Sequence, residues 1–185
     1  MKDPVGKWHE EHMYFSRLLE LLRHEVDQLA LGETPNYALM LDIIDYLRDY
    51  SDHVHHPRED AVFRRLARYC PDRELPLARL RQEHRIIAHT GEALRALLQE
   101  AAADAMVSRT EIEVAAASYL VYYGNHIERE EEDIMPLARK LLGEDDWQAA
   151  RDVVPTASDP MLGADPQERF RALRRRIALE TGTVA

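Results

Sequence analysis

The sequence predicts an all-α protein: an antiparallel up-down four-helix bundle with a C-terminal helical extension. Three observations carry that prediction. Four long stretches place apolar residues on three- and four-residue steps, and none alternates as a strand would. The connections between them are short, which makes sequential helices antiparallel neighbours. The apolar stripes are narrow enough for bundle packing and too interrupted for a long coiled coil.

The first stretch runs from about Lys7 to Leu31, with Phe15, Leu18, Leu19, Leu22, Val26 and Leu29 as its stripe, and Gly32 ends it. The second opens at Thr34-Pro35, a cap residue followed by a proline suited to the first helical position. Its stripe holds Met40, Ile43, Ile44, Leu47 and Val54, then Val62, Phe63 and Leu66, and Cys70-Pro71-Asp72 closes it. The third starts near Pro76 and carries Leu77, Leu80, Ile87, Leu94 and Leu98. The fourth opens with Ser108-Arg109-Thr110-Glu111, a capping box, and runs through Ile112, Ala116, Tyr119, Tyr123, Leu137 and Leu141 to Gly143. Residues 1–150 are thus expected to form the bundle. Pro155, Asp159-Pro160, Gly163 and Asp165-Pro166 mark an irregular stretch, and Phe170, Leu173, Ile177 and Leu179 a short helix. Residues 151–185 therefore read as an appendage packing on the bundle, not as a second domain.

Composition narrows the function. The 185 residues hold 24 Lys+Arg against 34 Asp+Glu, a net charge of −10, which argues against nucleic acid or an anionic membrane as partner. One cysteine cannot form an internal disulfide, so a cytoplasmic location is expected. No apolar run is long enough for a signal segment or a membrane span. Histidine is the outlier: the 9 present are about twice ordinary usage.

Four of these histidines interrupt the stripes. His12 lies three residues before Phe15, and His84 stands in line with Leu80 and Ile87. His55 precedes Glu59 by four residues, as His126 precedes Glu130, so each pair shares one helix face. Their depths match. His12 and His55 each lie about 21 residues from the first turn, and His84 and His126 about 21 from the second, or about 32 Å along straight helices. Pairing the two hairpins in register brings four histidines and two glutamates together in the core.

Two buried carboxylates repel each other, and each costs several kcal/mol to take out of water. Metal cations remove that cost. Imidazole nitrogen with carboxylate oxygen suits iron, and also manganese or zinc. Two glutamates able to bridge and four terminal histidines suggest two ions, with an oxo or hydroxo bridge balancing the remaining charge.

The segments EEHMYFSRLLELL, HHPREDAVF, RQEHRIIAH and HIEREEEDIMPLARKLL, over about residues 8–150, resemble the hemerythrin-like HHE cation-binding domain family. The HH-P-[KR]-E and H-x-x-x-E-E phrases are its most specific marks. The resemblance implies a non-heme di-iron centre on His12, His55, Glu59, His84, His126 and Glu130. Oxygen carriers of that family have a second histidine in the third helix, where this chain has Ala88; His89 points about 100° away. They also have a longer spacing to an aspartate in the last motif. The chain is closer to the bacterial branch linked to oxygen, nitric oxide or peroxide response and to iron handling.

The remaining polar residues divide as follows. His9, on the His12 face, is a candidate extra ligand or supporting group. Tyr119 and Tyr123 are candidates for hydrogen bonding near the site, with core packing as the plainer role, and Asp133 is a candidate acceptor for a ligand histidine. His56 and Asp60 form a second i, i+4 pair, turned about 100° away and read as a surface pair. His24 and His53 read as outer-face residues. Pro57 predicts a kink inside the His55–Glu59 motif. In the acidic run Glu128–Asp133, Glu130 is the expected buried exception. The arginines at 169, 171 and 174–176 are expected to pair with acidic bundle surface, and Cys70 reads as inert.

The function expected is a di-iron protein that binds or senses a small oxidant: oxygen, peroxide or nitric oxide. The alternatives are a peroxide-reducing or iron-donating enzyme of stress repair, and a bundle with a purely structural metal. No catalytic residue stands out, which favours binding or sensing over enzymatic turnover.

Overall fold

The computed structural model describes residues 4–154, 159–161 and 167–180, without the side chains of residues 169, 179 and 180. Helix α1 (Pro4–Ala30) is a single unbroken α-helix of 27 residues. Gly32 ends it in the left-handed region at φ 88°, and the Glu33 N–H closes back on the Gln28 carbonyl at 3.0 Å. A Cβ-free residue adopts that conformation at least cost.

The second arm is built in three pieces: α2 (Tyr37–Tyr46), a π-helical segment over Leu47–His55, and α3 (His56–Tyr69). Its cap is Asn36, not Thr34. The Asn36 side chain accepts from the Leu39 N–H at 3.0 Å, while its own N–H donates to the buried Glu25 carboxylate at 2.8 Å. Asparagine caps at least as well as threonine, and Glu25 fixes where the chain turns.

A 3₁₀ turn at Pro71–Arg73 leads to α4 (Glu74–Ala102), which starts two residues before the expected Pro76 and places that proline in its first turn. α5 (Arg109–Arg129) opens at the expected capping box, with the Ser108 N–H donating to Glu111 at 3.3 Å. A second π segment, Glu130–Ile134, separates it from α6 (Met135–Leu141). Past Gly143, α7 (Glu144–Arg151) packs on α3, and α8 (Arg171–Glu180) packs on α2. Among the described residues there is no strand, and no helix is long and apolar enough to cross a membrane.

The two π segments have one local cause. Each is followed by an α-helix with proline at its second position, His56-Pro57 and Met135-Pro136. A proline ring clashes with the carbonyl four residues back and removes one donor. Wider winding relieves this. The His56 N–H reaches the Ser51 carbonyl and the Met135 N–H the Glu130 carbonyl, each five residues back. The kink expected at Pro57 is therefore a widened turn, which adds a residue to the helix without breaking it.

Two apolar clusters fill the interior. One centres on Phe15, Leu22, Ile44, Leu47, Ile87, Leu94, Ala116 and Tyr119, and Met161, Phe170, Leu173 and Ile177 close its end. Gly91 belongs here for steric reasons, since a Cβ on it would lie 3.0 Å from the Tyr119 ring. The other gathers Val5, Trp8, Val62, Phe63, Leu66, Leu80, Ile134 and Met135 and is closed by Trp147 of α7. Each fully buried large apolar side chain stabilises by roughly 1.5–3 kcal/mol. A fold with two such clusters tolerates a polar layer between them.

Arg176 of α8 lies 3.5 Å from Glu25, the pairing with the acidic bundle that was expected, whereas Arg171 pairs with Glu168 of the tail itself at 2.9 Å. Pro155, Gly163, Asp165, Pro166 and the side chains of Arg169 and Leu179 fall outside the described residues.

Candidate metal centre

The polar layer holds all six residues chosen by spacing. His12, His55, Glu59, His84, His126 and Glu130 are each 6% exposed or less. Their inward atoms crowd together. His12 Nε2 lies 2.9 Å from His55 Nε2, 3.3 Å from Glu59 and 3.4 Å from Glu130. His55 Nε2 is 2.8 Å from Glu59, and His126 Nε2 is 3.0 Å from Glu130. His84 Nε2 faces both glutamates, at 3.4 Å and 3.5 Å.

Each histidine is held from behind by a carboxylate that sequence spacing did not select. His12 Nδ1 is 2.8 Å from Glu131, and His55 Nδ1 is 2.7 Å from Glu11. His84 Nδ1 is 2.8 Å from Asp60, and His126 Nδ1 is 3.4 Å from Glu83. A ring that donates Nδ1–H outward presents the Nε2 lone pair inward, which is how outer carboxylates aim histidine ligands. These carboxylates are anchored in turn. Glu11 accepts from Tyr50 at 2.6 Å and pairs with Lys7 at 3.3 Å, and Glu83 pairs with Arg129 at 2.9 Å. The available signal was their place beside the motifs, as immediate neighbours of His12, Glu59, His84 and Glu130.

The electrostatics describe a cation site. Burial opposes charge on His12, yet hydrogen bonds to Glu131 and Glu59 and the nearby Glu130 hold its pKa up, at about 10. Burial likewise opposes ionisation of Glu11, but His55, Tyr50 and Lys7 bring it down to about 2. Protons balance the acidic cluster in the absence of other cations. The donor set fits metal ions: Glu59 Oε2, both Glu130 carboxylate oxygens, His84 Nε2 and His126 Nε2 are buried and make no hydrogen bond. Buried polar atoms without partners cost about 1–3 kcal/mol each, more when charged. The His12 and His55 Nε2 atoms, 2.9 Å apart, share one proton in a hydrogen bond, so a metal ion entering beside them takes that proton's place. Ligand atoms from His12, His55 and Glu59 lie within 4.8 Å of one another, as do those from His56, Glu59, His84 and His126.

Four expectations are corrected here. His56 is not on the surface: it is 4% exposed and stacks on His84, with ring centroids 4.1 Å apart. Asp60 pairs with His84 instead of His56. Asp133 is exposed and supports no histidine; the π turn carries it outward and Ile134 inward. Glu131 is a second exception in the acidic run, half-buried against His12. His9 is exposed and reaches the layer only through Glu131, at 2.9 Å. Tyr119 and Tyr123 are buried, and Tyr123 donates a short hydrogen bond to Ser51 Oγ. His24 and His53 are exposed, as expected.

Fold and site together define a class: helical bundles with a buried histidine–carboxylate layer that binds metal cations. Residues 3–138 match the model of the hemerythrin HHE cation binding domain, and the chain belongs to that family. None of the curated proteins compared with the chain matches it.

Proposed function

We propose that the protein holds two iron ions in this layer and uses them to bind or sense a small oxidant: oxygen, peroxide or nitric oxide. The observation that carries the proposal is the set of buried nitrogen and oxygen atoms without hydrogen bonds, converging from three of the four helical arms. His12 and His55 would hold one ion and His84 and His126 the other, with Glu59 and Glu130 able to serve both. Bound iron supplies a change of oxidation state and open coordination positions for a small ligand.

The protein's own groups do the rest. Glu11, Glu83, Asp60 and Glu131 fix ring orientation. Phe15 stands edge-on to His55 at 5.0 Å and Phe63 stacks near His84 at 5.9 Å, which keeps bulk water from the layer. A surface cleft of about 270 Å³, lined by His9, His12, Met13, Arg17, Ile127 and Glu131, opens against one edge. It supports access for a small ligand beside His12.

The test is metal analysis and optical spectroscopy of anaerobically purified protein. Two irons per chain, with visible bands appearing on exposure to oxygen, peroxide or nitric oxide, are expected. Catalytic peroxide loss over many turnovers would make the protein an enzyme. A colourless, zinc-filled protein would make the metal structural and overturn the proposal.

A further inference from the structure

His56 lies outside the six-residue set, yet it is buried beside it and has a carboxylate near its Nδ1, as each of the four histidines of that set does. Each of those puts Nδ1 on a carboxylate behind it and Nε2 toward the layer. His56 Nδ1 is 3.3 Å from Asp52 Oδ1. Its Nε2 meets Ser51 Oγ at 3.1 Å. The ring is parallel to His84 within 10° and stands edge-on to His126 at a centroid distance of 5.6 Å. One ligand atom from each of His56, Glu59, His84 and His126 falls within the same 4.8 Å. Two ligands about 2.1 Å from a shared ion are about 3.0–4.2 Å apart, so the group closes around one cation by contracting, with no rearrangement of the helices. The cause is the π segment before Pro57, which turns two consecutive histidines inward where regular winding would admit one.

We propose that His56 is a third histidine ligand of the ion held by His84 and His126. The centre is then asymmetric, with three histidines on one ion and two on the other. The proposal rests on the two-metal reading above. The competing role for His56 is a hydrogen-bond partner of Ser51 only.

Cobalt(II) separates the two. Loaded into the whole chain, it shifts the Nδ1–H proton of each coordinated histidine far out of the normal NMR range. Five such exchangeable signals are expected from the wild type, four from His56→Gln, and five from Ser51→Ala. Competition with a chelator should show binding of the ion held by His84 and His126 weakened by more than about 100-fold in His56→Gln, beyond what loss of a supporting group costs, and the other ion unchanged. Two bound ions with only four signals in the wild type would overturn this inference and leave the two-metal proposal standing. Failure of the wild type to take up two ions would remove both. If His56→Gln does not fold, the wild-type and Ser51→Ala counts decide.

Discussion

The helices that carry the glutamates are wound differently from those that do not. α1 and α4 each give the layer one histidine from an uninterrupted α-helix. The second and fourth arms give a histidine and a glutamate each, and both contain a π segment at the layer, over Leu47–His55 and Glu130–Ile134. Single-turn π segments inside helices often mark functional sites. Here the cause is visible in the chain, a proline two residues into the next helix. The difference teaches that a regular helix offers about one inward residue per turn to a layer, and a widened turn offers an extra one. His55 and His56 both face in, and so do Glu130 and, in part, Glu131.

The largest test of that contrast is metal content. Glu130→Ala removes a group placed to serve both ions, and His84→Ala removes a terminal one. Both variants are expected to bind well below two irons per chain, Glu130→Ala the fewer. Unchanged stoichiometry in both would remove the ligand assignment.

The register of the second π segment gives the next largest effect. Ile134→Ala is expected to cost about 2–4 kcal/mol in denaturant unfolding, as a buried large-to-small change does. Asp133→Ala is expected to stay within about 0.5 kcal/mol, as an exposed change does. A regular α-helix through this stretch would reverse the ranking.

The pH dependence of the metal-free chain is a smaller effect with a definite sign. Glu11, at about 2 against an ordinary 4.5, contributes stability that is present above pH 4.5 and lost as pH falls toward 2. His12, at about 10 against an ordinary 6.5, contributes stability that is present below pH 6.5 and lost as pH rises toward 10. These two groups place the optimum between about pH 4.5 and 6.5. Metal displaces the His12 proton, so loading should move the optimum upward. Denaturation midpoints across this range, with and without metal, check it; one optimum for both forms would contradict it. The smallest effect is expected from His9→Ala, within about 0.5 kcal/mol and with metal content unchanged, since His9 is exposed and its hydrogen bond goes to Glu131.

Much of this was legible before the fold was known. Equal counts from the turns put His12, His55, His84 and His126 at one height, and helix spacing added Glu59 and Glu130. The stripe of the fourth arm slipped by one residue past Glu130: Leu137 and Leu141 were expected inside, whereas Ile134, Ala138 and Leu142 are buried. The same slip explains Asp133, and in the second arm His56. Pro57 and Pro136 were the signal for both.

The sequence by itself determined the helices, their antiparallel order and the level of the histidine–glutamate layer, because these follow from periodicity and from counting along rigid rods. Only the tertiary structure decided which neighbour stands behind each ring. Glu11 meets His55 from another helix, Glu83 meets His126, and Glu131 meets His12 across 119 positions of chain. Such partners are chosen by how helices rotate against one another, and a local pattern carries no record of that rotation.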